Sequence, residues 1–215
     1  MFFSLVLFGG RTSIGQPAWP EALASMPLPG GTNPIERDNA IRRILEGLRS
    51  NGTVKAIVVL PAVSDDLYLI NRDKPKLGLF ATNLHDAILQ LTNKTEIRAT
   101  FQPPFLLLHR DEDSLTLQVT IKSAEAIERL RRESRLPRVM FCDAHWQQVR
   151  TALNTKLRPS ILPWSKSENA WHFARHNIAG WNLTDWELLT AVSLSGKTRF
   201  TVEKRRVIFQ PRTTP

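Results

Sequence analysis

Ser64-Asp65-Asp66-Leu67-Tyr68-Leu69-Ile70-Asn71-Arg72-Asp73 aligns, at a constant offset of 103 residues, with Ser167-Glu168-Asn169-Ala170-Trp171-His172-Phe173-Ala174-Arg175-His176. The same offset sets Leu91 against Leu194, Lys94 against Lys197, Thr95 against Thr198 and Ile97 against Phe200. Self-similarity at a fixed offset marks a unit written twice, and it constrains the architecture before any single element does.

Working outward from the first copy, Asn33-Pro34-Ile35-Glu36 offers a helix start, and Ile41, Ile44, Leu45 and Leu48 share a helical face up to Gly52. Val54 to Pro61 is a β-branched run short enough for a strand covered on both faces. Leu67 to Ile70 reads as a second strand. A helix follows from Asn83, an N-cap residue type, with Leu84, Ala87, Ile88 and Leu91 on its buried side. Glu96–Phe101 and Phe105–His109 form a hairpin around Pro103-Pro104, which confines it to an edge or loop. Leu115 to Ile121 alternates strictly, as a half-buried strand does, and Ser123 caps a helix running to about Arg135.

The second copy repeats the order. Val139–Cys142 is a strand, and Asp143 caps a helix carrying Trp146, Val149 and Leu153. Ile161-Leu162-Pro163 echoes Leu60-Pro61, Ala170–Ala174 is the next strand, and Asn182-Leu183-Thr184-Asp185 opens a helix as Asn83-Leu84-His85-Asp86 did. Thr198–Val202 and Arg206–Phe209 close the unit as a hairpin. The expected fold is α+β: two tandem small α/β sandwich units, each βαββαββ-like and pseudo-duplicated. Residues 1–34 are expected to form a signal-like or disordered N-terminal segment and a Pro/Gly-rich linker, 35–122 the first unit, 123–137 a connecting helix, and 138–211 the second unit.

This order over about seventy residues resembles the short N-terminal domain of secretins and TonB-dependent receptors. The residues that carry the likeness are Asn182 to Trp186, Ser195-Gly196-Lys197-Thr198 and Arg206-Val207-Ile208-Phe209, with Asn83 to Ile88, Thr92 to Thr95 and Phe105 to Leu108 in the first unit. The resemblance implies a periplasmic docking module without catalytic residues. The segment between the units, with its own strand and helix, departs from that pattern, and no pore or barrel sequence follows.

Composition bounds the function classes. The 215 residues carry a net charge of +9 and a pI near 10.3, suited to an acidic protein, nucleic acid or anionic surface as partner. A single cysteine, Cys142, excludes an internal disulfide and a multi-cysteine metal site. Phe2-Phe3-Ser4-Leu5-Val6-Leu7-Phe8 is too short to span a bilayer but resembles a signal core, with Ser13-Ile14-Gly15 after it and no basic residue before it. Export to the periplasm or cell envelope is the expectation; if the run is not a signal remnant, the expectation is a cytoplasmic protein. Membrane association would come only through this segment, uncleaved.

No reactive constellation stands out. His172 and His176, four apart on a strand, lie roughly 13 Å apart, too far for one metal ion, and suit a solvated or partner-facing pair. Cys142-Asp143-Ala144-His145 reads as a strand end with a small apolar thiol. Asp111-Glu112-Asp113 reads as a solvated turn, and Gly30-Gly31-Thr32 lacks the lysine of a phosphate loop. Trp181 falls in a loop before a helix, where an exposed indole can anchor a partner. Basic residues gather at Arg129, Arg131, Arg132 and Arg135, partly offset by Glu125, Glu128 and Glu133, and again at the turn Lys204-Arg205-Arg206. The candidate interface is therefore Trp181, His172, His176, Lys204, Arg205 and Arg206, with no cofactor or metal expected. The expected function is a non-catalytic, exported binding or scaffold module with a protein partner; the alternative is a basic nucleic-acid-binding protein.

Overall fold

In the computed structural model, residues 19–28, 43–49, 52–64, 81–93, 95–132, 136–157, 160–163 and 175–212 are described, the segment 160–163 by its backbone alone. The chain is α+β, with two mixed sheets. Strand β1 (Ala56–Val59) is buried at every position, as a β-branched run between two covered faces requires. Its residues divide by parity: Ala56 and Val58 join one core, Ile57 and Val59 another. Helix α2 (Leu84–Asn93) starts on the expected cap, with the Asp86 amide donating to Asn83 Oδ1 at 2.9 Å, and it buries Leu84, Ala87, Ile88 and Leu91 as its periodicity predicts. Strands β2 (Arg98–Gln102) and β3 (Phe105–His109) form the hairpin, with β2 at the sheet edge and the prolines in the turn.

Strand β4 (Val119–Ile121) leads into α3 (Ala124–Arg132), then β5 (Leu136–His145), α4 (Trp146–Lys156) and β6 (Ser160–Pro163). Strand β7 (Arg175–Leu183), helix α5 (Asp185–Ser195) and the hairpin β8 (Thr198–Val202) and β9 (Arg206–Pro211) complete the order. The five-stranded sheet runs β2-β3-β1-β7-β5 and the four-stranded sheet β4-β8-β9-β6.

A strand, a helix and a hairpin recur with one strand order, although β7 intervenes between β6 and α5 in the second set. In the first, β2 pairs antiparallel with β3, and β3 pairs parallel with β1. In the second, β8 pairs antiparallel with β9, and β9 pairs parallel with β6. The sheets nevertheless do not divide at residues 123–137. The first sheet is completed by β7 and β5 from the second half, with Ala56 opposite Gly180, and the second sheet gains β4 from the first half, with Val119 opposite Phe200. Two independent sandwiches joined by a connecting helix are replaced by interleaved halves.

The helices follow from that interleaving. One face of the five-stranded sheet packs Leu23, Leu45, Leu48, Leu84 and Ile88. On its other face α5 touches β1 and β7 while also touching β8, so it lies between the sheets. Nine of its residues are buried, which suits a helix with sheets on two sides rather than an amphipathic surface helix.

Four local expectations change. Residues 19–28, expected in an extended linker, include helix α1 (Trp19–Ala24), and Leu23, Met26 and Leu28 enter the core because α2 offers them an apolar face. Asp143 does not cap α4; it sits at φ 50° where the β5–β7 register shifts between Phe141 and Ala144, and His145 occupies the cap, its amide donating to Gln148 Oε1 at 2.9 Å. Thr184 rather than Asn182 caps α5, with Glu187 closing a capping box. Trp181, expected in a loop before the helix, lies instead within β7, an inner strand that runs on to Leu183. The expected strands 67–70 and 170–174 and the helix start at Asn33 lie outside the described residues.

Candidate functional site

Three local structures bring the basic residues together. Ser123 Oγ accepts from the Ala126 amide, so α3 begins directly at the end of β4. Ala126, Ile127 and Leu130 turn into the core, which leaves Glu125, Glu128, Arg131 and Arg132 exposed and Arg129 half-buried at the rim. The β8–β9 hairpin turns through Lys204 and Arg205, with the Glu203 amide donating to Arg206 O at 2.9 Å. Pairing of β4 with β8 carries on past the strand ends, since the Lys122 amide donates to Val202 O at 2.9 Å.

The helix and the hairpin then meet. Arg129 Nη2 donates to Lys204 O at 3.2 Å, which merges two basic clusters 75 residues apart into one ridge. Glu203 is held by Lys122 at 3.0 Å and by Arg206, and these two cations keep its carboxyl below the ordinary carboxylate range, Arg206 contributing most. Glu128 faces Arg132 at 3.2 Å and Arg131 at 3.9 Å. Seven cationic side chains (Lys122, Arg129, Arg131, Arg132, Lys204, Arg205, Arg206) stand against Glu125, Glu128 and Glu203, a surplus of four positive charges. Glu133 and Arg135 lie outside the described residues.

One tryptophan borders this surface, and a second meets a cation on the other face of the five-stranded sheet. Arg131 lies 5.3 Å from the ring centroid of Trp186, whose edge packs on Phe200 at 5.5 Å. Arg138 lies 5.7 Å from the ring of Trp181. Trp181 is a half-buried β7 residue packed on the core, its amide donating to Lys55 O at 2.8 Å, and not an exposed loop anchor. No spacing in the sequence announces the Arg131–Trp186 pairing, because the partners belong to different helices.

His176 leaves the candidate interface. It is 1% exposed, its Nδ1 lies 2.7 Å from Ser195 Oγ, and its ring is 5.9 Å from that of Trp146. Burial pushes its pKa down to about 4, so the imidazole is neutral at physiological pH. Its Nε2 has no hydrogen-bond partner among the described residues. His172 lies outside the described residues. Lys204, Arg205 and Arg206 are exposed, as a hairpin tip requires.

Two further polar groups among the described residues are held by hydrogen bonds within the fold. Asp113, expected in a solvated turn, is buried: its Oδ1 accepts from the Ala62 amide at 3.2 Å and its Oδ2 from the Arg110 amide at 3.0 Å. Asn177 Oδ1 accepts from the Asp143 amide at 2.8 Å and its Nδ2 donates to Ser64 Oγ at 3.2 Å, tying the bulge to the end of β1. Among the described residues, no three His, Cys, Asp or Glu side chains are grouped to hold a metal, and no helix is long and apolar enough to cross a membrane.

Fold and surface together define an interleaved α+β domain with one joined cationic ridge. Comparison with family models, with curated proteins and with solved structures finds no match.

Proposed function

We propose that the chain is a non-catalytic binding module that docks an anionic partner on the ridge formed by α3 and the β8–β9 tip. The observation that carries this reading is the Arg129–Lys204 hydrogen bond, which turns two separate charge runs into a single surface with a net surplus of cations. Retention on a sulfated polyanion resin tests it. Arg205→Glu should elute at clearly lower salt than the native chain, and Arg98→Glu, the same charge change at the exposed first position of the edge strand β2, should elute close to it. Equal elution of the two variants defeats the reading.

Export and service as an envelope adaptor belong to the same proposal. They are supported by the Phe2–Phe8 run and by the likeness to the secretin and TonB-dependent receptor module, and fractionation of cells tests them: a wholly cytoplasmic chain that keeps Met1 removes them. An ancestral duplication is inferred from the shared strand order of the two strand–helix–hairpin motifs. In this reading the second copy diverged toward binding, since the basic hairpin tip Lys204-Arg205 answers to Pro103-Pro104 in the first.

A further inference from the structure

We infer that the anion recognised by the ridge is double-stranded nucleic acid, gripped through its phosphates without reading bases. This deepens the binding-module reading above and rests on it. Three observations select this partner among polyanions.

The first is the lack of an apolar anchor. Among the described residues the one exposed large hydrophobic side chain is Leu89, on α2, which packs on the face of the five-stranded sheet away from α5. A stable protein interface is organised around buried aromatic or aliphatic anchors, and an amphipathic membrane surface needs apolar side chains to insert. Interfaces with nucleic acid are instead polar and strongly positive.

The second is the state of the aromatic rings. Binding to single strands relies on open ring faces on which bases stack. Arg131 lies over the ring of Trp186, which also meets Phe200 edge to face, and Trp181 packs on the core of the sheet face away from α5 with Arg138 near its ring. Among the described residues, the ring beside the ridge is thus already engaged by a cation and by Phe200 rather than left open, which favours duplex over single strand.

The third is preorganisation. Five of the seven ridge cations are arginines, whose planar fork matches phosphate oxygens. Arg129 is fixed to the hairpin backbone, so helix and tip present their charges as one unit. The acids nearest the tip and helix end, Glu203 and Glu128, are turned onto neighbouring cations. The nine-residue α3 is ~13 Å long, a span over which duplex carries roughly eight phosphate charges, enough to engage the surplus of four.

The experiment is fluorescence anisotropy of the full chain with a labelled duplex of about 20 base pairs and the matching single strand. With about four phosphates neutralised, duplex affinity should fall on the order of 100-fold between roughly 50 and 200 mM salt. Duplexes of unrelated sequence should bind alike, and the single strand several-fold more weakly. Lys204→Glu/Arg205→Glu should bind duplex at least about 10-fold more weakly, with the salt slope reduced by about two, while Arg98→Glu changes affinity less than about threefold. Both substituted positions are exposed at a hairpin tip, and an unchanged thermal midpoint confirms folding. A single strand bound as tightly as duplex overturns the inference, and so does a double variant with native affinity. Retention on the sulfated resin, or binding of a poly-glutamate peptide, with no binding of duplex overturns the nucleic-acid assignment while leaving the anion-binding module in place.

Discussion

Lys55 Nζ lies 2.8 Å from Glu187 Oε1, joining the residue that precedes β1 to the first turn of α5 across 132 residues of sequence. The other carboxylate oxygen of Glu187 accepts from the Thr184 amide at 2.8 Å, so one side chain both caps α5 and ties the halves together. Both partners keep some solvent contact, which limits the ionic contribution. Glu187→Ala loses the cap and the pair and should cost about 1–2 kcal/mol. Lys55→Met should cost less. A double-mutant cycle by urea unfolding should return a coupling of about 0.5–1 kcal/mol, and no coupling would show the pair to be incidental.

Gly180 is the point where the β1–β7 junction admits no side chain. A Cβ there would meet Leu183 Cδ1 at 2.5 Å and Ala56 Cβ at 3.1 Å. Gly180→Ala should destabilise the chain by about 1–3 kcal/mol, because Leu183 is fully buried and has little room to turn away. The thermal midpoint reports this directly; a midpoint equal to the native one contradicts the packing across the two halves.

Stability should fall in acid because of His176. Its folded-state pKa, about 4, is below the ordinary value of 6.5, so between those values the unfolded chain binds the proton and the folded chain does not. The contribution is fully present above about pH 6.5 and is lost as pH falls toward 4, to a total on the order of 3 kcal/mol. Among the described residues, the groups at the ring are Ser195 and Gly196 from the end of α5 and Trp146 from α4, none of them charged, so the cost of burying an imidazolium dominates. His176→Leu should lower stability at pH 7.5 yet flatten the acid limb in urea midpoints measured from pH 7.5 to 4.5. An acid limb of unchanged slope assigns the pH dependence to other groups.

The acidic turn should divide sharply by residue. Asp113→Ala leaves two backbone amides without acceptors and removes the carboxylate near Arg212, whose guanidinium burial has pulled below its usual range. A loss of about 2–3 kcal/mol is expected. Asp111→Ala and Glu112→Ala, with side chains 79% and 59% exposed, should each stay within about 0.5 kcal/mol. Similar losses at all three positions would contradict the stapling role of Asp113.

Much of the local structure was legible because burial on one side leaves a period in the sequence. The apolar face of α2, the alternation that turns Leu115, Leu117, Val119 and Ile121 toward one core, and both hairpins follow from such periods. Strand β7 was not legible. Asn177 and Gly180 look like loop residues, and His176 like a solvated one; they are tolerated in an inner strand because Ser195 and Ser64 satisfy the polar pair and Leu183 and Ala56 fill the space a Cβ at Gly180 would need. The histidine reading failed for the same reason: its partner is 19 residues away on another element.

By itself the sequence determined the α+β class, the faces of its amphipathic elements, the two hairpins, and the excess of positive charge. These depend on near neighbours along the chain. The tertiary structure decided which strands share a sheet, which polar residues are buried, and that the arginines of α3 meet the hairpin tip. The β1–β7 and β4–β8 pairings and the Arg129–Lys204 and Lys55–Glu187 contacts join residues 75 to 132 positions apart, and no local period records such a separation.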